Sequence, residues 1–290
     1  MRSLYHVGKP DQASRIGIEL EPLARGAGHL GALSSCLSIR AWAEFGREPD
    51  LALLDRRIGE AVDFDRERGL SWFLAQSLTH MIDVRFFAGD WDSVQSIVAE
   101  ALTAEPHGSF ARLGTAMLLR LAAYSGNRDQ VLELVEQTRS HLPILGKVNS
   151  IGRWSLLMIT VESLAMVNEQ GRTAELYPLV RELLKCGVVC MLLTCRFPET
   201  IAGIAAAEAG DWDAAETHFG TALRQAIELP HQLEEAEVRR FHAMMLLQRD
   251  RPGDRDRARE MLIQALESYR RIGMPRHMEL TCVLLTKLHT

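Results

Sequence analysis

Apolar side chains along this chain recur at helical spacing and are interrupted at regular intervals by short polar turns. On either side of Gly89, for example, apolar residues fall three or four positions apart, as at Leu74 and Leu78 before it and at Val94 and Val98 after it. Such spacing puts them on one face of an α-helix. No segment alternates apolar and polar positions as a half-buried strand would. The pattern therefore predicts an all-α fold.

The polar turns repeat along the whole chain. Ala-Gly-Asp-Trp-Asp occurs twice, at residues 88–92 and 209–213. In each turn a glycine can end one helix in the left-handed conformation, and a polar residue that follows can cap the next helix. The turn glycines are 37 to 45 residues apart, at Gly8, Gly46, Gly89, Gly126, Gly171, Gly210 and Gly253. This regularity predicts one array of helical hairpins over residues 1–290, with about thirteen or fourteen helices.

The hairpin around Gly210 carries a specific set of small and aromatic residues. Gly203 lies seven positions before that glycine, and Trp212, Ala215 and Phe219 lie two, five and nine positions after it. This order resembles the tetratricopeptide repeat, although the average spacing of about 41 residues is longer than the usual 34. The resemblance implies a right-handed superhelical solenoid.

Between Arg172 and Pro275 the chain is similar to a particular group of bacterial proteins. Leu176-Tyr177, Ala-Gly-Asp-Trp-Asp-Ala-Ala-Glu, Pro-Gly-Asp-Arg-Asp-Arg-Ala-Arg and Gly-Met-Pro follow one another there. This order resembles the carboxy-terminal helical regions of ATP-binding regulators, namely LuxR-type regulators of the maltose-activator kind and adenylate cyclases fused to an NTPase. The resemblance implies a non-catalytic protein-interaction or effector-sensing module of a signalling or transcription-regulatory ATPase.

An alternative is a carboxy-terminal fragment of an adenylate or guanylate cyclase or NTPase polypeptide whose catalytic domains lie upstream. Only seven residues precede Gly8, so the first helix of that hairpin is expected to be missing. Because solenoids normally cover their terminal apolar faces, we expect a chain truncated at its amino end, or one that docks this end on a partner.

The composition narrows the classes of function. The chain has 33 basic and 38 acidic residues and a net charge of −5, so it has no basic field for direct nucleic-acid binding. It has no apolar run of roughly 20 residues, and no membrane partner is expected. Five cysteines and the lack of a signal peptide predict a cytoplasmic protein. Cys186, Cys190 and Cys195 lack metal-site spacing and a nearby histidine, so we expect inert thiols, no metal and no cofactor.

Catalytic motifs are also missing from the sequence. It has no G-x-x-x-x-G-K-[ST] phosphate-binding loop, no G-x-G-x-x-G, no H-E-x-x-H and no G-x-S-x-G. We therefore expect no enzymatic activity from this chain itself; any catalysis would lie in domains outside it.

A partner-binding surface is predicted on the first helices of the central hairpins. Its residues lie off the predicted packing face, and aromatic and arginine side chains are common at binding hot spots. The predicted site residues are Gln76, Asp83, Phe86, Phe87 and Arg120. The partner would be a protein or peptide, such as an ATPase or cyclase module, or a small effector. The alternative is that both phenylalanines pack against the neighbouring hairpin.

Overall fold

The computed structural model describes residues 1–46, 49–105, 109–191 and 194–288, with side chains throughout these ranges except at 109–112. Within them the chain is helical and has no strand, apart from an isolated bridge between Met191 and Arg196. The all-α prediction is confirmed. The helices are α1 (Arg2–His6), α2 (Pro10–Gly26), α3 (Leu30–Phe45), α4 (Leu51–Glu67), α5 (Ser71–Ala88), α6 (Trp91–Ala104), α7 (Ser109–Tyr124), α8 (Arg128–Thr138), α9 (Ile151–Met166), α10 (Gln170–Glu175), α11 (Tyr177–Leu184), α12 (Pro198–Glu208), α13 (Trp212–Glu228), α14 (Gln232–Arg249), α15 (Asp254–Ile272) and α16 (Pro275–Lys287).

The described residues thus form sixteen α-helices, besides one 3-10 turn at Arg139–His141. This is more than the thirteen or fourteen predicted, for two local reasons. The short helix α1 stands ahead of Gly8, where no helix was expected. The second helix of the hairpin that follows α9 is divided at Leu176 into α10 and α11. Pro178 lies in the first turn of α11, a position that tolerates proline, whereas a continuous helix would place it in the interior.

Five of the seven predicted turn glycines have the left-handed backbone conformation. Gly89 ends α5 with a φ of +79°, and Gly210 follows α12 with a φ of +74°. Gly8, Gly126 and Gly253 also have positive φ. The predicted conformation is confirmed at these positions.

The same prediction is wrong at Gly46 and Gly171. Gly46 follows α3 in a right-handed conformation, with a φ of −56°. Gly171 lies inside α10, and the left-handed residue of that turn is Asn168, with a φ of +59°. Asparagine tolerates this conformation better than most residues, so the turn forms three residues earlier than the glycine indicates.

Helices that follow one another in sequence pack together, and so do the first helices of successive hairpins, as in the contacts of α5 with α7, α7 with α9 and α12 with α14. Small residues allow the close approaches. A Cβ atom at Gly203 on α12 would lie only 2.8 Å from the ring of Phe219 on α13, so glycine is required there for this packing.

Distant parts of the chain also meet, at a nearly constant separation in sequence. His6 Nδ1 is hydrogen-bonded to the carbonyl oxygen of Cys190, 184 residues away, at 2.9 Å. Gln232 N–H donates to the carbonyl of Gly46 at 3.0 Å. A Cβ atom at Gly89 would lie 3.0 Å from Pro275. The carboxy-terminal ends of α1, α3 and α5 are therefore in contact with segments about 185 residues further along the chain.

Candidate functional site

The structure brings four of the five predicted site residues together. Asp83, Phe86 and Phe87 lie on α5, and Arg120 lies on the adjacent α7. Arg120 Nη1 donates to Asp83 Oδ1 at 3.3 Å. Its guanidinium carbon lies over both rings, 4.6 Å from the centre of Phe86 and 5.3 Å from that of Phe87. Gln76 is not part of this group; its side chain accepts a hydrogen bond from Arg2 at 2.6 Å.

The prediction that these residues lie off the packing face is wrong. Each of the five is at most 2% exposed. Helix α5 packs against α3, α4, α6, α7 and also α16, which arrives from the far end of the sequence. Phe86 contacts the rings of Tyr124 on α7 and His277 on α16, with centroid distances of 4.9 and 5.6 Å. Both phenylalanines therefore pack against neighbouring helices, and a role of this group in partner binding stays a prediction.

Asp83 and Arg120 belong to a larger group of buried ionic side chains, which we call the charged cluster. Its members come from α5, α7, α9 and α14 and from the segment before α12, and each is at most 1% exposed. They are Asp83, Arg120, Glu162, Arg196, Glu234, Glu237 and Arg240.

Arg196 is the centre of the charged cluster. Its Nε donates to Glu162 at 3.0 Å, and its Nη2 donates to Glu237 at 2.6 Å. Glu234 lies 3.7 Å from its Nη1. One guanidinium thus joins α9 to two carboxylates on α14. Such charge-assisted, branched pairing fixes the relative positions of helices that are far apart in sequence.

Two further arginines extend the charged cluster on either side. Arg120 Nε donates to Glu162 at 3.3 Å, and Arg240 Nη2 donates to Glu237 at 2.8 Å. Arg240 also donates to the hydroxyl of Tyr124 at 2.7 Å. The charged cluster is therefore one connected network from Asp83 to Arg240.

Burial and the arginines act in opposite directions on the carboxyl groups. Burial raises the pKa of Asp83 and of Glu234 to about 7. Burial also disfavours ionised Glu162 and Glu237, but two arginines beside each outweigh it and hold both pKa values below the usual range. Two carboxylates are thus firmly ionised at neutral pH, and two are close to their midpoints.

The thiols and the histidine nearest the charged cluster are held in their neutral forms. Burial raises the pKa of the Cys190 and Cys195 thiols, which disfavours the nucleophilic thiolate. Burial likewise lowers the pKa of His277 to about 3, so it stays neutral. Within the described residues no three His, Cys, Asp or Glu side chains are placed to hold a metal ion. The charged cluster joins α5, α7, α9, α14 and the segment before α12.

Sequence reasoning missed most of the charged cluster, although one signal was present. Glu162 is the one charged residue of α9 between Leu156 and Met166. A lone carboxylate on such a helix needs a buried partner, because isolated buried charge is costly. No comparable signal marks Arg196, which lies in the irregular segment before α12.

The described residues also include an ordered loop with an apolar surface, between α8 and α9. Ile144, Leu145 and Val148 are exposed there. The loop is held by Asn149, whose Oδ1 accepts from Ile144 N–H at 2.9 Å and whose Nδ2 donates to the carbonyls of Ile144 and Lys147. Three aliphatic side chains are thus presented to solvent on a fixed backbone.

Comparison with models of known protein families gives no match to this chain, and neither does comparison with curated proteins. No helix in the described ranges combines the length and the apolar character needed to cross a bilayer.

Proposed function

We propose that this chain is a non-catalytic, effector-sensing and protein-interaction module of a bacterial signalling or transcription-regulatory ATPase. It would be built as a tetratricopeptide-like, right-handed superhelical solenoid over residues 1–290. The observation that carries the proposal is the charged cluster, in which buried ionic groups from separate hairpins converge. The resemblance of residues 172–275 to the helical regions of such regulators supports the cytoplasmic, ATPase- or cyclase-linked context.

The long-range contacts favour a superhelix that turns back on itself. Contacts between His6 and Cys190, between Gly46 and Gln232 and between Gly89 and Pro275 join residues about 185 positions apart. A coil of similar hairpins produces such a constant offset when successive turns touch, because each hairpin adds a similar rotation. The first helices then face the inside of the coil, where the charged cluster lies.

Buried ion pairs contribute little net stability. The presence of the charged cluster is therefore better explained by a sensing role than by stabilisation. The cost of desolvating two ions commonly exceeds their attraction, and apolar side chains of similar size serve at least as well. An ionic network does, however, give a geometrically specific closed state. A partner or effector that bound the open coil more tightly would shift the population toward it.

The loop between α8 and α9 is the surface that fits a protein partner best. Exposed aliphatic side chains on an ordered backbone lose little conformational entropy on binding. Ile144, Leu145 and Val148 would insert into an apolar groove of the partner, and Lys147 at the same turn would favour acidic groups at its edge.

The test is to identify the partner and then reconstitute its regulation. The purified chain would be cross-linked in extract of its source organism, and recovered proteins would be identified by mass spectrometry and purified. We expect an ATP-hydrolysing or cyclase protein whose turnover changes when the chain is added. The triple variant Ile144→Ser, Leu145→Ser and Val148→Ser should lose this effect.

A matched control replaces three exposed aliphatic residues elsewhere by serine, namely Ile227, Ile263 and Val283. It should leave the effect intact, and both variants should keep the helical circular dichroism of the wild type. ATP or GTP turnover by the chain alone, persisting through repeated purification, would overturn the proposal. So would a partner that binds both triple variants equally.

A further inference from the structure

An open pocket lies near the carboxy-terminal ends of α9, α12, α14 and α16, and no member of the charged cluster lines it. Its volume is about 460 Å³, which lies within the range of about 300–1,000 Å³ that is typical of small-molecule sites. Its floor is formed by Ile204, Phe219, Phe241 and Met245, each at most 3% exposed. The floor is therefore an apolar surface able to cover a hydrocarbon chain.

The walls of the pocket are also apolar and can adapt to a ligand. Met244 and Leu247 on α14 face Leu284 on α16, and all three are only partly buried. Methionine is unbranched and adjusts its conformation easily, so it suits contacts with flexible chains. An apolar ligand would cover side chains that now face solvent.

The rim carries polar groups of both signs. Glu208 is half-buried, burial raises its pKa, and no donor among the described residues pairs with this carboxyl. Arg255, Lys287 and Gln248 also line the pocket. A charged head group of either sign would meet a like charge at this rim, Glu208 for an anion and Arg255 or Lys287 for a cation. The attraction of an anion to Arg255 is reduced because this side chain already pairs with Asp250 at 3.1 Å. A neutral head group that both donates and accepts hydrogen bonds satisfies both sides.

We propose that this pocket binds an amphipathic molecule with an alkyl or acyl chain of medium length and a neutral amide or hydroxyl head. The chain lies on the floor, the head donates to Glu208, and its oxygen accepts from Arg255 or Gln248. That such a ligand acts as the effector rests on the proposed sensing function, whereas binding itself does not.

The pocket is in direct contact with the charged cluster through Arg240. The guanidinium carbon of Arg240 lies 4.1 Å from the ring centre of Phe241 on the floor, and its Nη1 lies 3.9 Å from the sulfur of Met244 on the wall. A ligand that moves either side chain therefore changes the surroundings of the arginine that bonds Glu237. Through this contact, ligand binding would alter the ion pairs of the charged cluster.

The binding test uses calorimetric titration with hexanamide, octanamide and decanamide. Each buried CH₂ should increase the affinity about fourfold. Each step of the series adds two CH₂ groups, so the affinity should rise roughly 15-fold per step until the chain covers the floor. Octanoate and octylammonium should bind at least tenfold more weakly than octanamide. Affinity that is independent of chain length, or tighter binding of either ion, would overturn the proposal.

Variants place the ligand within the pocket. Met244→Trp should fill the space and abolish binding of octanamide, while Ile227→Trp on the exposed surface of α13 should not change it. Should Met244→Trp fail to fold, as judged by circular dichroism, Leu284→Trp fills the same space from α16. Glu208→Ala should weaken octanamide about tenfold. Its control is Glu267→Ala, at an exposed site on α15. Unchanged affinity in a folded filling variant would refute the site.

The two proposals fail in distinguishable ways. Hydrogen exchange of α9 and α14 would be measured with and without saturating decanamide, and faster exchange is expected if the ligand loosens the charged cluster. If binding depends on chain length but hydrogen exchange does not change, the pocket is a binding site but not the effector site. Absence of binding refutes the site, while the partner and its regulation still test the proposed function.

Discussion

Arg196→Met is the most direct test of the charged cluster. Arg196 is the guanidinium shared by Glu162, Glu237 and Glu234, at 3.0, 2.6 and 3.7 Å. Methionine replaces its apolar stem but none of its donors. In the variant each of these two glutamates has one arginine partner left, Arg120 for Glu162 and Arg240 for Glu237. Both carboxylates stay buried.

The expected loss of stability follows from this uncompensated charge. Removing one partner of a buried ion pair costs about 3–5 kcal/mol, because the remaining charge has no water to replace the bond. We expect a loss of this size in the free energy of unfolding at pH 8. The measurement is urea unfolding followed by circular dichroism and extrapolated to water.

The matched control is Arg66→Met. Arg66 also contacts two carboxylates, Asp63 and Glu100, each at 2.8 Å, but all three side chains are exposed. Exposed pairs contribute at most about 1 kcal/mol. If Arg196→Met and Arg66→Met lose similar amounts of stability at pH 8, the charged cluster contributes no more to the fold than an exposed ion pair.

The pH dependence of the loss provides a second check. Without Arg196 the pKa values of Glu162 and Glu237 in the folded variant should rise above their unfolded values. The folded variant then binds more protons than the unfolded chain, and its stability relative to wild type should improve as the pH falls from 8 toward 5. A loss that stayed constant over this range would indicate disturbed packing rather than unpaired charge.

Three further changes test other parts of the structure. Gly89→Val should destabilise the fold by at least about 1–2 kcal/mol, because it forces a β-branched residue into the left-handed region beside Pro275. Its control, Gly171→Ala inside α10, should be neutral or should stabilise the fold by up to about 1 kcal/mol. Similar losses in urea unfolding for the two variants would contradict this. Burial lowers the pKa of His80 from 6.5 to about 3, so the unfolded chain takes up this proton before the folded protein does, and stability is lost as the pH falls below 6.5. His80→Phe should therefore reduce the slope of the unfolding free energy against pH. An unchanged slope would exclude His80 as its source. Asn149→Ala should speed hydrogen exchange of the Ile144 amide without changing the thermal midpoint, and unchanged exchange would show that other contacts order the loop.

Local signals explain why the turns were predictable in part. At Gly89 and Gly210 an apolar helix meets a glycine followed by Asp, and the conformation depends on these few residues alone. At Asn168 and Gly171 two residues compete to end α9, and asparagine takes the left-handed position. The sequence pattern does not distinguish them, because both residue types favour that conformation.

The composition of the site was more predictable than its exposure. Asp83, Phe86 and Phe87 share one face of α5 at helical spacing, so grouping them with Arg120 required only the hairpin register. The burial of both phenylalanines also involves His277, which lies on α16 and contacts both rings. Periodicity within a hairpin carries no information on which distant helix packs against it, because that contact depends on the arrangement of several hairpins.

The net charge of the charged cluster depends on pH. Arg120, Arg196 and Arg240 are permanently charged, while only Glu162 and Glu237 are held firmly ionised. With Asp83 and Glu234 protonated the network has one net positive charge, and with both ionised it has one net negative charge. Since burial raises the pKa of both to about 7, the folded protein can hold either net charge near neutral pH. Unfolding would hydrate these two carboxyls and release their protons, so these two groups should favour the folded state slightly as the pH falls through this range.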